Sequence, residues 1–191
     1  MASRARIPLL PPSDWGEAER DAYAVLESEA TKGLGASSNM TMALVNHPRL
    51  AKAFYTLGRH LLLESTLPHR PRELVTLRVA VRTGCEYEWH HHVRFGKRLG
   101  LSDADIEAVK AGPEAAIWSD EDRAVLRLVD ELFGGWKVSD ATWAELAGYF
   151  DRQQLMDLVF TVGNYVMAAS AAAAFGVEIE PGFESREHPL T

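Results

Sequence analysis

Four side chains that could carry chemistry lie within twenty consecutive residues of this chain: Glu73, Cys85, Glu88 and His92. Cys85, Glu88 and His92 are spaced i, i+3 and i+7, so a helix would bring them to one face. A thiol, a carboxylate and an imidazole on one face form a candidate acid/base or nucleophile set. We therefore expect any catalytic site to centre on residues 73–92.

Cys85 is the only cysteine among 191 residues, and it follows Gly84 at a predicted helix start. Exposed amide groups at a helix N-terminus stabilise a thiolate, which predicts a reactive cysteine. The alternative is a buried structural cysteine, because free cysteine is among the most buried residue types. One cysteine cannot form an internal disulfide, which favours a reducing, cytoplasmic setting.

Two carboxylates are candidates for interaction with His92. Glu88 precedes it by four residues, so the two form either a solvated surface pair or a pair in which the carboxylate raises the imidazole pKa. Glu73 belongs to the preceding predicted helix. If the chain turns at Gly84, the two helices pack antiparallel and Glu73 comes within hydrogen-bond reach of His92. Such a pair is either a general acid/base pair or a structural bond that ties the helices together.

Four further side chains are candidates for contact with a substrate. Aromatic residues can wall a pocket, although they more often form a core or an interface. A histidine at a helix boundary more often has a local structural role, and a polar group in an apolar helix is more often a satisfied core group. The four candidates are Tyr87, Trp89, His47 and Tyr165.

The run His90-His91-His92 resembles a metal-binding sequence only superficially. Consecutive helical residues point about 100° apart, so the three imidazoles cannot chelate one ion. The chain contains neither HExxH nor CxxC, and it has one Glu-x-x-His. A carboxylate-bridged dinuclear metal site in a helical bundle needs two such motifs and additional glutamates. We therefore expect no metal site.

The overall composition is typical of a globular all-α protein. Hydrophobic residues make up 47% of the chain, and helical periodicity is present in almost every segment, whereas no alternating β-branched run suggests a sheet. The net charge of −7 argues against nucleic acid and against anionic membrane surfaces. The longest apolar stretch, residues 165–175, is about half of a membrane span. We therefore expect neither nucleic-acid nor membrane partners.

The chain divides into three predicted segments. Residues 1–40 form an N-terminal extension with a first helix over about 14–32, residues 41–180 form a helical domain, and residues 181–191 form an irregular tail. Small residues at 168–174 permit close helix approach, within the core or between subunits. Serines precede several predicted helices as N-caps: Ser13, Ser102, Ser119 and Ser139.

The segment LPHRPRELVTLRVAVRTGCEYEWHHHVRFGKRLGLSDADIEAV, with VGNYVMAA further on, resembles the carboxymuconolactone decarboxylase family, which includes the alkylhydroperoxidase D proteins. The resemblance covers roughly residues 40–178. The peroxidase branch carries a glutamate, eleven residues, then C-x-x-C-x-x-x-H. Glu73, Cys85 and His92 match its glutamate, first cysteine and histidine, whereas Glu88 replaces its second cysteine. No disulfide between two such cysteines can therefore cycle, and the segment looks like the decarboxylase-type branches instead.

The resemblance implies an all-α, alkylhydroperoxidase D-like helical bundle that forms a homo-oligomer: a dimer, trimer or hexamer. It also implies a carboxy-lyase that acts without a cofactor on a small carboxylated lactone or organic acid. His92 would donate or accept the proton, with Glu73 and Glu88 tuning it. Two alternatives remain open. One is a thiol-dependent hydroperoxidase that uses Cys85 with an external resolving thiol, and the other is a non-catalytic oligomeric binding protein.

Overall fold

All regular structure in the computed structural model is helical over the residues that it describes, 5–27 and 36–191. The predicted all-α class is thus confirmed. Short 3₁₀ and π turns occupy Pro12–Asp14 and His60–Glu64. The α-helices of the described residues are α1 Glu17–Ala24, α2 Asn39–Leu44, α3 Pro48–Arg59, α4 His69–Thr83, α5 Glu86–Arg98, α6 Asp103–Ala111, α7 Asp120–Gly135, α8 Asp140–Leu146 and α9 Arg152–Phe175.

The chain divides into two compact units. One comprises Met1–Glu64 and Ser170–Gly182, and the other comprises Ser65–Ala169 and Phe183–Thr191. The second unit contains helices α4 to α8 and α9 as far as Ala169. Every residue between Glu73 and His92 therefore belongs to the second unit.

The first unit contains a small aromatic core in which Trp15 packs on Tyr23, with Val45 in the same cluster. The expectation that Ser13 caps a helix over 14–32 is wrong. Ser13 lies in the 3₁₀ turn, and helix α1 begins at Glu17 because the Glu19 carboxylate accepts the Gly16 backbone N–H at 2.8 Å. Helix α1 ends at Ala24, and residues 28–32 of the expected helix lie outside the described residues.

The second unit is built around α4, which packs against α5, α6 and α7. Nearly the whole length of α4 is buried, so its side chains supply the centre of the core rather than one stripe of it. The core also takes apolar side chains from every other helix of this unit. Fully buried members include Leu74, Leu77, Trp89, Ile106, Leu126, Leu146 and Leu158.

Two local features position α4 relative to its neighbours. Buried Arg78 makes two hydrogen bonds of 2.8 Å to the carboxylate of Asp130 in α7, which compensates for the cost of burying its charge. At its C-terminus, α4 ends at Gly84, whose φ of 64° lies in the left-handed region that glycine adopts readily. The chain reverses there and continues directly into α5.

The predicted serine caps of α6, α7 and α8 are confirmed. The hydroxyls of Ser102, Ser119 and Ser139 each accept a backbone N–H three residues ahead. At Ser102 the Asp105 carboxylate also accepts the Ser102 backbone N–H at 2.8 Å. These caps satisfy N–H groups that the first helical turn leaves without partners.

Helix α9, Arg152–Phe175, agrees with the helix that the sequence predicts over about residues 151–175 and contains the apolar stretch at residues 165–175. Within the described residues it is the one helix long and apolar enough to cross a membrane by length and composition, and 44% of its most apolar window is buried in the protein. Its Leu158, Val162 and Tyr165 belong to the core of the second unit. This is the pattern of a core helix.

Candidate active site

The pairing of Glu73 with His92 is confirmed. Glu73 Oε2 lies 2.8 Å from His92 Nδ1, and the two residues are only 1% and 7% exposed. The turn at Gly84 produces this contact, since it packs α4 against α5 and places Glu73 and His92 at the same level along the two helix axes. A buried hydrogen bond of this length between a carboxylate and an imidazole is a strong, charge-assisted one.

The second ring nitrogen of His92 also faces a carboxyl group. Glu88 Oε2 lies 3.6 Å from His92 Nε2, and Glu88 is only 7% exposed. The helical spacing that the sequence predicted therefore holds, and the pair is buried rather than solvated. The imidazole thus lies between two carboxyl groups, one on α4 and one on its own helix.

Burial and neighbouring charges shift the pKa values of these three groups in different directions. Burial alone lowers the pKa of His92, but the charge and hydrogen bond of Glu73, together with the charge of Glu88, outweigh burial and raise it. Burial alone raises the pKa of Glu73, but His92 and Arg72 outweigh it and lower that pKa. Burial raises the pKa of Glu88, and the histidine charges offset it only in part. The site therefore favours the ionised form of Glu73 and the charged form of His92, whereas burial disfavours the ionised form of Glu88.

Cys85 does not have the environment expected from its position at the start of α5. Burial raises the pKa of its thiol to about 11, and the charges of Glu88 and Glu86 raise it further. The amide groups of Tyr87 and Glu88 act in the opposite direction, as the sequence predicted, but they are outweighed. Of the two alternatives that the sequence left open, a reactive thiolate and a buried cysteine, these surroundings favour the buried cysteine.

Tyr165 and Phe95 complete the surroundings of the imidazole. Tyr165 presents its ring edge-on to His92, with 4.8 Å between ring centroids, and the pKa of its phenol is raised well above 10 by burial and by the charges of Glu73 and Glu88. Phe95 lies one turn beyond His92, with its ring 5.7 Å away, and it is half exposed. Tyr165 is thus a neutral phenol inside the site, and Phe95 lies at its outer edge.

The other predicted substrate contacts lie elsewhere. Trp89 is completely buried in the core, and its indole N–H donates to the His188 carbonyl. Tyr87 is buried on a neighbouring face of α5, with its ring 4.6 Å from that of His91. His47 belongs to the first unit, where it is the N-cap of α3 and its Nδ1 accepts the Leu50 N–H at 3.4 Å. For Trp89 and His47 the structural interpretation therefore agrees with the geometry.

Sequence reasoning missed Arg72. Its Nε lies 3.3 Å from Glu73 Oε1, so the two oxygens of Glu73 have different partners, Arg72 and His92. Adjacent residues on a helix point about 100° apart, so spacing does not predict their contact. Phe95 was predictable, because it continues the stripe of Cys85, Glu88 and His92 by one more turn.

The histidine run points in three directions, as helical geometry requires. His92 faces Glu73, His91 packs against Tyr87, and His90 accepts the Ser185 backbone N–H. Across residues 5–27 and 36–191, no three histidine, cysteine or acidic side chains are placed to hold one metal ion.

Comparison with known proteins finds a family model that covers this site. Residues 48–131, which contain Glu73, Cys85, Glu88 and His92, match the model of the carboxymuconolactone decarboxylase family. An uncharacterized Bacillus subtilis protein, YdfG, is 26% identical over 103 residues, which make up 53% of this chain and 70% of YdfG.

Two solved structures share the fold. The alkylhydroperoxidase AhpD core of an uncharacterized peroxidase-related protein from Ralstonia eutropha superposes with a TM-score of 0.79 at 17% identity, over 94% of each chain. The debrominase Bmp8, solved in complex with 2,3,4-tribromopyrrole, gives a TM-score of 0.73 at 15% identity, over 93% of this chain and 92% of that one. At such identities the likeness concerns the fold alone. The family match over residues 48–131 confirms the resemblance to the carboxymuconolactone decarboxylase family that was seen in the sequence.

We expect the Cys85 thiol to react slowly with iodoacetamide in the folded protein. A pKa of about 11 rather than 9.0 leaves about a hundredfold less thiolate at neutral pH. The alkylation rate of native protein, followed by mass spectrometry between pH 7 and 11, should rise with pH throughout this range. The same thiol in urea-unfolded protein is the control. A native rate at pH 7 equal to or above the unfolded rate would contradict the assigned environment.

We expect Glu73→Gln to lower the free energy of unfolding by about 3–5 kcal/mol near pH 6, because it leaves His92 buried without its charged partner. The lowered pKa of Glu73 makes its contribution present above pH 4.5 and lost as the pH falls further. The raised pKa of His92 makes its contribution present below pH 6.5 and lost as the pH rises through the raised value. Urea unfolding at pH 4, 6 and 9 should therefore give the largest difference from wild type at pH 6.

The matched control is Glu64→Gln, which removes an exposed carboxylate paired with Arg59. Exposed pairs contribute about 0–1 kcal/mol, so this variant should be nearly as stable as wild type at each pH. A Glu73→Gln effect no larger than that of the control would show that the buried pair contributes no net stability.

Proposed function

We propose that this protein is a cofactor-independent acid/base enzyme of the carboxy-lyase type, acting on a small carboxylated lactone or organic acid. The single observation that carries the proposal is the buried imidazole of His92 between Glu73 and Glu88. Strongly perturbed carboxyl and imidazole groups that share one buried site are typical of acid/base catalysis.

The charges of the site suit an anionic substrate. Arg72 and His92 are cations and Glu73 is an anion, while Glu88 tends towards its neutral form because burial raises its pKa. The site thus contains two cationic side chains and one carboxylate that is held ionised, while burial disfavours the ionised form of the second carboxyl group. A substrate carboxylate would pair with the cationic side chains, which supports a carboxylated compound as the ligand class.

The reaction follows from the position of the His92 proton. As the bond between the substrate carbon and its carboxylate breaks, carbon dioxide leaves and the electron pair remains on the carbon. A neighbouring carbonyl of the substrate delocalises this pair. His92 Nδ1 is held by Glu73, so the Nε2 proton is the one available for transfer to the carbon. Glu88, 3.6 Å from Nε2, can then return a proton to His92.

The main alternative is a thiol-dependent hydroperoxidase. The peroxidase-related neighbour supports it only at the level of fold. Two observations favour acid/base chemistry: Cys85 is the single cysteine of the chain, and its pKa of about 11 leaves little thiolate. A protein that only binds a ligand is the third alternative, and it would have no turnover with any substrate.

We expect His92→Gln and Glu73→Gln each to reduce decarboxylation by about 10²–10⁴-fold, the usual contribution of a positioned acid or base. The assay follows carbon dioxide release from a panel of carboxylated lactones and 3-oxo acids. His69→Gln and Glu64→Gln make the same changes at exposed positions and should leave turnover unchanged. Circular dichroism of each variant verifies that it is folded.

Cys85→Ser separates the two enzyme classes. Acid/base chemistry predicts that decarboxylation survives this change, whereas a thiol peroxidase would lose hydroperoxide reduction with dithiol donors. Peroxide reduction by wild type that Cys85→Ser abolishes, together with no carbon dioxide release from the panel, would overturn the proposal.

We also propose that the protein is a homo-oligomer, supported by an apolar stripe on α9. Met156, Phe160 and Met167 are 55%, 54% and 50% exposed on one face of the helix. Exposed apolar side chains grouped in this way mark association surfaces in soluble proteins.

Light scattering should therefore give a mass that is a multiple of 21.2 kDa at micromolar concentration. The double substitution of Phe160 and Met167 by Glu should reduce it to that of one chain, because two charges would be buried without partners. Trp143→Glu, at an exposed aromatic residue of α8, is the control and should leave the mass unchanged. A single-chain mass for wild type would contradict the proposed assembly.

A further inference from the structure

The C-terminal tail, residues 183–191, is attached to α6 by a histidine. The ring of His188 is buried, with Nδ1 2.7 Å from Glu107 Oε1 and Nε2 2.9 Å from Asp103 Oδ1. Carboxylate oxygens only accept hydrogen bonds, and a neutral imidazole has one N–H. Both contacts can be hydrogen bonds only when both ring nitrogens carry a proton. The observed attachment therefore requires His188 to be charged.

A second histidine holds the tail with the opposite requirement. The Ser185 backbone N–H donates to His90 Nδ1 at 2.9 Å. A backbone N–H can only donate, so Nδ1 must have a free lone pair and His90 must be neutral. Burial lowers the pKa of His90, and the nearby carboxylates of Glu86 and Glu184 oppose this only in part. Acid would protonate Nδ1, so that the Ser185 N–H would face another N–H donor and lose its acceptor.

Further contacts join the same tail to α5, the helix that carries Glu88 and His92. The His188 carbonyl accepts the Trp89 indole N–H at 2.7 Å. The Phe183 ring packs 5.1 Å from the His91 ring, and the Arg94 guanidinium lies over Phe183 at 4.2 Å. The tail therefore spans from one face of α5 to the carboxylates of α6.

We propose that the C-terminal tail is a pH-sensitive clasp on α5, closed only where His90 is neutral. Acid opens the contact at Ser185, whereas the contacts of His188 with Asp103 and Glu107 hold the far end of the tail on α6. The clasp involves no substrate, so its test does not depend on the proposed carboxy-lyase activity.

Other charged groups surround the clasp, and they do not replace the histidines. Lys97 lies 2.6 Å from Asp103 and 3.7 Å from Glu187, and Lys110 lies 3.0 Å from Glu107. The hydrogen bond to Asp103 raises the pKa of Lys97, so Lys97 keeps its charge where His90 changes its own. His90 is therefore the group that sets the acid limit of the closed state.

The test is hydrogen exchange of the full-length protein from pH 4.5 to 8.5, with peptides that cover the tail analysed by mass spectrometry. Each rate is divided by that of the unfolded chain at the same pH, because intrinsic exchange itself depends on pH. Wild-type protection of the tail should be greatest at neutral pH and above, and it should fall about tenfold towards pH 4.5, the effect of losing the hydrogen bond from Ser185 to His90. Peptides from α7 should stay protected throughout and report that the fold is intact.

Two variants separate the two attachments of the tail. His90→Gln offers an amide oxygen to the Ser185 N–H at every pH, so protection should persist in acid. His188→Gln removes a contact with the α6 carboxylates but keeps His90, so protection should be about tenfold lower at neutral pH and should still fall in acid. His69→Gln, at an exposed position of α4, should reproduce the wild-type profile.

A wild-type profile that does not fall in acid, or a tail that is unprotected at every pH, overturns the proposal even if a variant fails to fold. It is also overturned if the fall in acid survives in His90→Gln or is lost in His188→Gln.

Discussion

The buried contact between Glu73 and His92 constrains everything around it. Taking two ionisable groups out of water costs several kcal/mol per ion unless each is well paired. The structure meets that cost by giving every polar atom of the contact a partner: Arg72 on one oxygen of Glu73, His92 on the other, and Glu88 facing the far nitrogen of the imidazole. This requires a fixed alignment of α4 and α5 along their axes and a fixed rotation of each helix about its own axis. The left-handed turn at Gly84 sets the axial alignment, and burial of Trp89 in the core sets the rotation of α5.

The replacement of a cysteine by Glu88 has a consequence beyond the lost disulfide. A buried glutamate beside Cys85 raises the pKa of the remaining thiol, because its charge opposes formation of a thiolate. The same glutamate faces His92 and contributes to the raised pKa of the imidazole. One residue thus disfavours thiol chemistry and favours proton transfer. Both effects of Glu88 support the acid/base chemistry proposed above over thiol chemistry.

Helix α5 serves several parts of the molecule through different faces. One face presents Glu88 and His92 to α4, and another places Trp89 and Val93 in the core. A third face carries His90, to which the C-terminal tail is bonded. The tail contact and the site contact thus arise from His90 and His92, two residues apart on one helix but on different faces of it.

Much of the architecture was determined by local sequence. Helical periodicity identified the all-α class, serine caps located the starts of α6, α7 and α8, and Gly84 located the break that aligns Glu73 with His92. These features depend on hydrogen bonds and backbone preferences within a few residues, so the sequence alone is enough to predict them. The expected cap at Ser13 failed because Glu19 offered its carboxylate to Gly16 instead, a competition between two local signals.

Tertiary structure alone decided the electrostatics of the site and the position of the tail. The contact of Arg72 with Glu73 joins adjacent residues whose side chains a helix points apart, and burial brings them together. The pKa of Cys85 depends on whether burial or the helix N-terminus has the larger effect, and sequence contains no measure of burial depth. His188 reaches Trp89 across 99 positions of the chain. Helical spacing predicts which residues share a face, whereas desolvation and long-range contacts exist only once the helices have packed.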